Sequence, residues 1–500
     1  MTTPLNNHFG CRVGRQYPSS ERQYTAAKSN RLTGDWIPIN QDVNTLIRTS
    51  SAQIRARSRQ LVRDFPFFAR AVSVLTNFTV GSGIQFQSQV RKADNSFDKK
   101  ICDQIEDAVK WGMDELDAGG RMHGHELERL CKRQDVEAGE CLLVKVMLKD
   151  PNRYTPLAYI PYKPDWLSSV PEIVGAGNQF DQGIEYDPRT GKVIAYHFAV
   201  PTGYGYPYMT GTMNVQRIAA SYVIHNYEML RPAQLRGISP FTTAILIAHD
   251  LGDYLDATMD VAKLSAKYLA MVETTDAGGF QASRSVNGTG VDTGKKLESV
   301  ENAIIEYLRP GEKIQFAKQD TMSDNFTPFT KFVLRMVAVA TGVTYELLTS
   351  DYDGINYSTL RGIRNDFVSQ IKPVQDRHIR HISQPVRLSI IDAAVQSGRL
   401  YLPGYQTNPY KYWKGAFTPP GMESPDPLRE GKAWIEQIQY NLRSPQEVAA
   451  ARGRNLEDIL DEISEANRMM KDRDLTMGPV STALQTNPAA VAPDTGDANA

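Results

Sequence analysis

The stretch from Ser239 to Met271, SPFTTAILIAHDLGDYLDATMDVAKLSAKYLAM, decides how the rest of the chain is read. Ser239 is a capping hydroxyl and Pro240 follows at the first helical position, where a missing N–H costs nothing. Leu251, Leu255, Thr258, Ala262, Ser265 and Leu269 then recur at steps of three and four. Asp253, Asp256, Asp260, Lys263 and Lys267 line another face at the same steps. The acids precede the lysines, the order that complements the helix dipole and sets Asp260 against Lys263. The pattern predicts one helix from Pro240 to Met271, roughly 48 Å long at about 1.5 Å per residue. A helix that long, with a broad polar face carrying small residues, suggests packing against copies of itself.

Working outward, a second long helix is predicted from Asn325 to Thr341, with Phe329, Phe332, Val333, Met336, Val337 and Ala340 on one stripe and Gly342 past its end. Between the two lies a glycine-rich insertion around Gly278 to Gly294 and a strand, Lys313 to Phe316. A helical turn, Thr344 to Leu348, leads to the polar loop TSDYDGI, 349–355, and Asn356 caps a long helical region running toward Gly398 that is bent or broken at Pro373 and Pro385. Upstream, Thr45 to Thr79 is helical and arginine-rich, with an interruption at Pro66, and residues 141–226 are mostly β. Downstream, a proline-rich linker precedes helices over Leu428 to Tyr440, Ser444 to Ala450 and Leu456 to Lys471.

Composition narrows the function. Lys plus Arg number 56 against 57 Asp plus Glu, for a formal charge of −1 and a pI near 6.7. That balance argues against a dedicated nucleic-acid groove binder, though not against a surface past which DNA slides without sticking. No run of 18 or more apolar residues occurs, and no signal-peptide pattern opens the chain, so neither export nor a membrane partner is expected. Cys11, Cys102, Cys131 and Cys141 form no CxxC pair and are expected to be reduced, intracellular thiols.

Candidate chemistry is thin. Gly290 to Gly294, followed by Lys295 and Lys296, has neither the glycine spacing nor the Ser or Thr of a phosphate loop. His123, His125 and Glu128 could ligate a metal but are read as a solvated loop and helix start. His378 and His381 are read as surface residues of a basic helix, and Asp351 with Asp353 as a polar loop rather than a two-metal nuclease pair. No cofactor and no catalytic residue are expected: the chain is not read as an enzyme.

Short stretches spread over the chain match one known family in their order and spacing. The matching text is Arg55-Ala-Arg-Ser-Arg59-Gln-Leu-Val-Arg63-Asp with Val80-Gly-Ser-Gly83, then Arg236-Gly-Ile-Ser-Pro-Phe241 and Asp253-Tyr-Leu-Asp-Ala257. Leu308-Arg-Pro-Gly-Glu312, Asn356-Tyr-Ser-Thr-Leu-Arg361, Trp413-Lys-Gly415, Asp426-Pro427 and Gly453-Arg-Asn-Leu-Glu457-Asp follow. Each is weak alone; by their order and spacing across about residues 45 to 470 the chain resembles the lambda-type family of tailed-phage portal proteins.

The resemblance implies an α+β portal fold in a ring-forming oligomer. Residues 1–44 would be an N-terminal arm, partly disordered; 45–238 an α+β wing; 239–271 a first stem helix; 272–320 a small α/β clip. Residues 321–348 would hold the second stem helix, 349–356 a tunnel loop, 357–400 a long wing helix, 401–472 a helical crown and 473–500 a disordered tail. It further implies a homododecamer at one capsid vertex of the virion, assembled in the host cytoplasm. Its partners would be double-stranded DNA in the channel, the terminase large subunit, head-tail connector and head-completion proteins, and the major capsid and scaffold proteins. Channel-facing candidates are Lys263, Lys267, Lys331, Arg335, Ser350, Asp351, Tyr352, Asp353 and Asn356; Asp256, Asp260 and Lys263 are candidates for stem-to-stem contacts. The competing readings are a head-tail adaptor or other ring-forming virion protein, and a metal-dependent packaging nuclease or ATPase. Two stem helices around an insertion argue against the first; the missing P-loop and acidic ligands argue against the second.

Overall fold

The computed structural model describes residues 38–199, 215–267, 270–274, 312–316, 326–421, 427–451, 454 and 456–473. Asp42 caps α1 (Val43–Asp64), its carboxylate accepting from the backbone N–H groups of Asn44 and Thr45. Phe65 is extended, as a residue before proline must be, and Pro66 opens α2 (Pro66–Thr79). After β1 (Gln85–Ser88) come α3 (Lys99–Asp114) and α4 (Gly124–Ala138). His123 caps α4 in a capping box with Glu126.

Gly139 ends α4 at φ +86°, and a Cβ there would stand 2.1 Å from the Ile238 carbonyl carbon. The peptide that leads into the next long helix therefore lies directly on the end of α4, an approach that only glycine permits.

The strands β2 (Glu140–Met147), β3 (Leu157–Tyr162), β4 (Gln179–Asp181), β5 (Ile184–Tyr186), β6 (Val193–Ala199), β7 (Val215–Ala219) and β8 (Val223–Tyr227) make two antiparallel sheets. One has the order β3–β2–β8, the other β4–β5–β6–β7. Leu142 and Val144 of the first pack with Ile184, Tyr196 and Phe198 of the second.

A single 3-10 turn, Pro240–Thr243, then starts α5 (Ile245–Lys267), and β9 (Ala270–Thr274) pairs antiparallel with β10 (Glu312–Phe316). Next are α6 (Phe326–Thr341), α7 (Tyr345–Thr349) and α8 (Tyr357–His378), a π-helical turn Ile379–Ser383, and α9 (Gln384–Gln396). The chain continues through β11 (Gly415–Thr418), which pairs with β1, to α10 (Pro427–Gln439), α11 (Pro445–Ala451) and α12 (Leu456–Lys471).

One core joins α3 and α9 to the first sheet through Ile105, Tyr159, Ile390 and Ile391. A second joins α2, α6 and α8 through Phe68, Val337, Phe367 and Ile371, with Phe241 at the start of α5 inserted among them. Leu251, Val333 and Leu334 close the contact between α5 and α6.

Three expectations are corrected. The first long helix does not reach Met271: α5 stops at Lys267, giving roughly 35 Å. Ala270–Thr274 is a strand, because Val272 and Thr274 suit an extended chain and β10 supplies the ladder. The long helical region is not broken at Pro373, which sits inside α8; the irregularity is the π turn Ile379–Ser383 just before Pro385, where proline supplies no N–H to the helix ladder. His378 is not a surface residue. It continues the buried stripe Phe367, Ile371, Gln375 of α8 at helical spacing and is 1% exposed, whereas His381 is exposed.

Burial pushes the His378 imidazole down to about 4, against the pull of Glu128 and Asp135 and with the push of Lys132 and Arg387. The unfolded chain then binds a proton near pH 6.5 that the folded chain refuses until about pH 4, so this contribution to stability is full above pH 6.5 and is lost as the pH falls. Urea midpoints should show about 2 kcal/mol less stability near pH 5 than near pH 7, a difference that His378→Gln removes.

The arm, clip and tail fall largely outside the described residues, as do the Gly278 to Gly294 insertion, the Leu308 to Gly311 part of the quoted motifs, and the lysines 295 and 296.

Candidate functional site

The loop after α7 is built by its flanks. Gly342, at φ +70°, ends α6 and turns the chain into the short α7. Ser350, at φ +57°, ends α7 in the left-handed region, and Gly354, at φ +70°, turns the chain back toward α8. Asn356 caps α8, its Oδ1 accepting from the Thr359 N–H at 2.9 Å and from Thr359 Oγ1 at 3.0 Å.

Within the loop, Asp351 is the hub. Its carboxylate accepts from Lys331 Nζ of α6 at 3.0 Å and from the Tyr345 hydroxyl at 3.1 Å, and its other oxygen accepts from the Asp353 N–H at 3.2 Å. The Lys331 and Asp351 side chains are 41% and 30% exposed. Hydrogen bonding from Lys331 holds the Asp351 carboxyl below its ordinary value, and the same bond raises the Lys331 ammonium. One turn further along α6, the Arg335 guanidinium lies 5.5 Å from the centre of the Tyr345 ring. Tyr352 projects into solvent beside them.

Of the sequence candidates, Lys331, Arg335 and Asp351 are thus brought together, and Ser350, Tyr352, Asp353 and Asn356 shape or flank the same loop. Lys263 is not part of it. α5 and α6 run antiparallel, with Tyr254 against Phe326 and Phe329, so Lys263 lies past the described start of α6. It pairs with Asp260 of its own helix at 3.1 Å, both exposed, and Asp256 is exposed nearby. Lys267 is the last residue of α5 and its side chain lies outside the described residues. Tyr345 is the member that sequence reading missed; its position just after the Gly342 stop was the available signal.

His123, His125 and Glu128 are otherwise occupied. His123 caps α4, and the Glu128 carboxylate is buried against His125 and Arg387. Among the described residues no group of three or more His, Cys, Asp or Glu is arranged to hold a metal ion. Among the same residues no helix is long and apolar enough to cross a membrane.

Exposed apolar side chains also occur on α6, which carries the loop's anchor Lys331, and on α5. Phe332 and Val339 are exposed on the side of α6 away from buried Val333, Leu334 and Val337, and Phe329 is exposed beside Tyr254 of α5. Leu246, Met259 and Val261 are exposed along α5.

The model of the family described as phage portal protein, lambda family, matches residues 29–375, well over half of the chain. The chain belongs to the lambda family of phage portal proteins. A probable portal protein of Halomonas phage phiHAP-1 is 25% identical over 499 residues, covering 97% of this chain and 93% of that one. The portal protein of Escherichia phage N15 is 22% identical over 292 residues, 54% of each chain. Among solved structures, a chain in the neck of the native GTA particle computed with C12 symmetry is 14% identical and covers 79% of this chain and 93% of its own. A second, from the neck of the empty GTA particle with C6 symmetry, covers 85% and 97%. Both have a TM-score of 0.44, too low to carry an argument about this portal protein's own fold.

Proposed function

We propose that this portal protein closes into a dodecameric ring at one vertex of the capsid and serves as the channel for double-stranded DNA during packaging and ejection. The observation that supports it is the incompleteness of the single chain. α5 packs on the rest of the protein through its first half, and among its described side chains from Asp256 to Lys263 every residue but Thr258 is exposed. Together with the bare apolar side of α6, this is a pair of helices that needs neighbours.

In this reading 45–238 is the wing, 239–271 and 321–348 carry the two stem helices, 272–320 is the clip, 349–356 the tunnel loop, 357–400 the wing helix and 401–472 the crown. The clip docks the terminase large subunit and later the connector and head-completion proteins, while the wing meets capsid and scaffold proteins. The protein assembles in the host cytoplasm, ends in the virion, and hydrolyses nothing itself. Lys331, Arg335 and the loop 350–356 face the lumen, with Lys263 and Lys267 further along it. A neutral chain suits this role, because many strong phosphate contacts would hold the duplex rather than let it pass.

Negative-stain imaging with solution mass on the same sample tests the proposal. A ring of about twelve protomers with an open axial channel is the expected result. A monomer that cleaves DNA or ATP with a metal overturns it.

A further inference from the structure

We infer that Lys331 is an exchange site for a phosphodiester: a backbone phosphate displaces the Asp351 carboxylate from Lys331, and that exchange releases the loop 350–355 from α6. This rests on the channel reading above and adds a ligand and a response to the same cluster.

The geometry has the parts such a device needs. Asp351 supplies the side-chain anchor of the loop, through Lys331 at 3.0 Å and Tyr345 at 3.1 Å. The loop is bounded by two left-handed turns, Ser350 and Gly354, so it can rotate as a unit once the anchor opens. Arg335 stands on the Tyr345 ring one turn from Lys331, so a phosphate arriving at Lys331 meets a second cation nearby.

The pair is also of the right strength. Lys331 and Asp351 are half-exposed, and ion pairs in contact with water are worth little, so a polyanion can displace one carboxylate. The buried pair Glu128–Arg387 is sealed from solvent and cannot exchange in this way. Lys331 therefore does not grip DNA permanently. It trades an internal anion for an external one as each phosphate passes, and the loop is held only between such events.

Limited chymotryptic cleavage after Tyr352 reads the release in the full chain, with inorganic polyphosphate and blunt duplex DNA as probes and a free peptide substrate as the protease control. Cleavage should be about two- to fivefold faster with either probe, the range expected for losing one exposed ion pair. Lys331→Met should be cleaved at the faster rate without a probe and should not respond further. Asp351→Asn, which keeps a group to accept from Tyr345, should behave likewise and guards against a folding defect in the first variant. Wild-type cleavage in Lys331→Met, or a response to polyphosphate that survives that substitution, overturns the exchange. Solution mass of the same samples separates this from the channel reading. A ring with an unresponsive loop sinks the exchange alone, and a polyphosphate-responsive protomer that never forms a ring sinks the channel alone.

Discussion

Glu140→Ala is expected to lower the unfolding free energy by about 3–5 kcal/mol, the range for removing one member of a buried ion pair. Glu140 is fully buried, and its carboxylate accepts from Arg236 Nε at 2.9 Å, from His225 Nε2 at 3.1 Å and from the Gly237 N–H at 3.0 Å, with Arg55 at 3.9 Å. Burial alone would raise its pKa, but Arg236 and His225 more than offset that and hold the carboxyl well below the usual carboxylate range. Truncation leaves the Arg236 guanidinium in the interior with no carboxylate to neutralise it, while Arg55 keeps its pairing with Asp165 at 3.0 Å, and the urea midpoint of the protomer should fall accordingly. Glu140→Gln keeps the shape and one acceptor and should cost less. Adding Arg236→Met to Glu140→Ala should recover part of the loss, because the uncompensated charge goes with it. If the double variant is no better than the single one, the cluster acts through packing rather than charge.

The position of that cluster explains why the effect should reach the long helices. Glu140 begins β2, His225 lies on β8, Arg55 on α1, and Arg236 precedes by three residues the Ser239 that caps the turn into α5. Ser239 in turn donates to the Val136 carbonyl of α4 at 2.8 Å. The entry to α5 is thus fixed from the sheet by charge and from α4 by a hydroxyl and the Gly139 contact.

The sequence disclosed the local parts of this design and none of its long-range charge pairing. α12 begins and ends where its stripe predicts, Asn356 and Ser239 cap as expected, and Pro66 divides α1 from α2. These depend on residues a few positions apart, where propensity and capping decide. Glu128 and Arg387 are 259 residues apart and Glu140 and Arg236 are 96 apart, so nothing in spacing announces either pair. His378 was obscured by its neighbours: Arg377, Arg380 and His381 make the segment look basic and exposed, while the stripe from Phe367 places the imidazole inside. The strand at Met271 was lost for a different reason, since a short apolar run fits helical and extended periods alike and its partner lies 38 or more residues away. In the loop, the family resemblance singled out Lys331, Arg335 and Asp351 individually, and only the turn through α7 joins them.

Phe332→Asp together with Val339→Asp should prevent the proposed ring from forming without unfolding the protomers. Phe332 is 59% exposed and Val339 84% exposed, on the side of α6 away from buried Val333, Leu334 and Val337. Covering two such side chains is worth about 1.5–3 kcal/mol each when burial is complete, and a carboxylate placed in the same contact adds a desolvation cost. In the proposed ring the loss would recur at every contact between protomers, so assembly should fail at concentrations where the parent chain assembles. Protomer stability should change by no more than about 0.5 kcal/mol, as is usual for exposed positions. Asp256→Ala, Asp260→Ala and Lys263→Ala make the useful contrast. Asp260 and Lys263 satisfy each other within one helix, and an exposed pair at that spacing is worth about 0.3–0.5 kcal/mol, so their removal should weaken assembly far less. Solution mass at matched concentration separates the two. Loss of the ring in the α6 variant alone makes apolar contact the force that closes it, whereas loss in the charge variant alone makes Asp260 and Lys263 partners across chains. A ring that survives the α6 substitutions places Phe332 and Val339 on a surface that neighbouring copies do not cover.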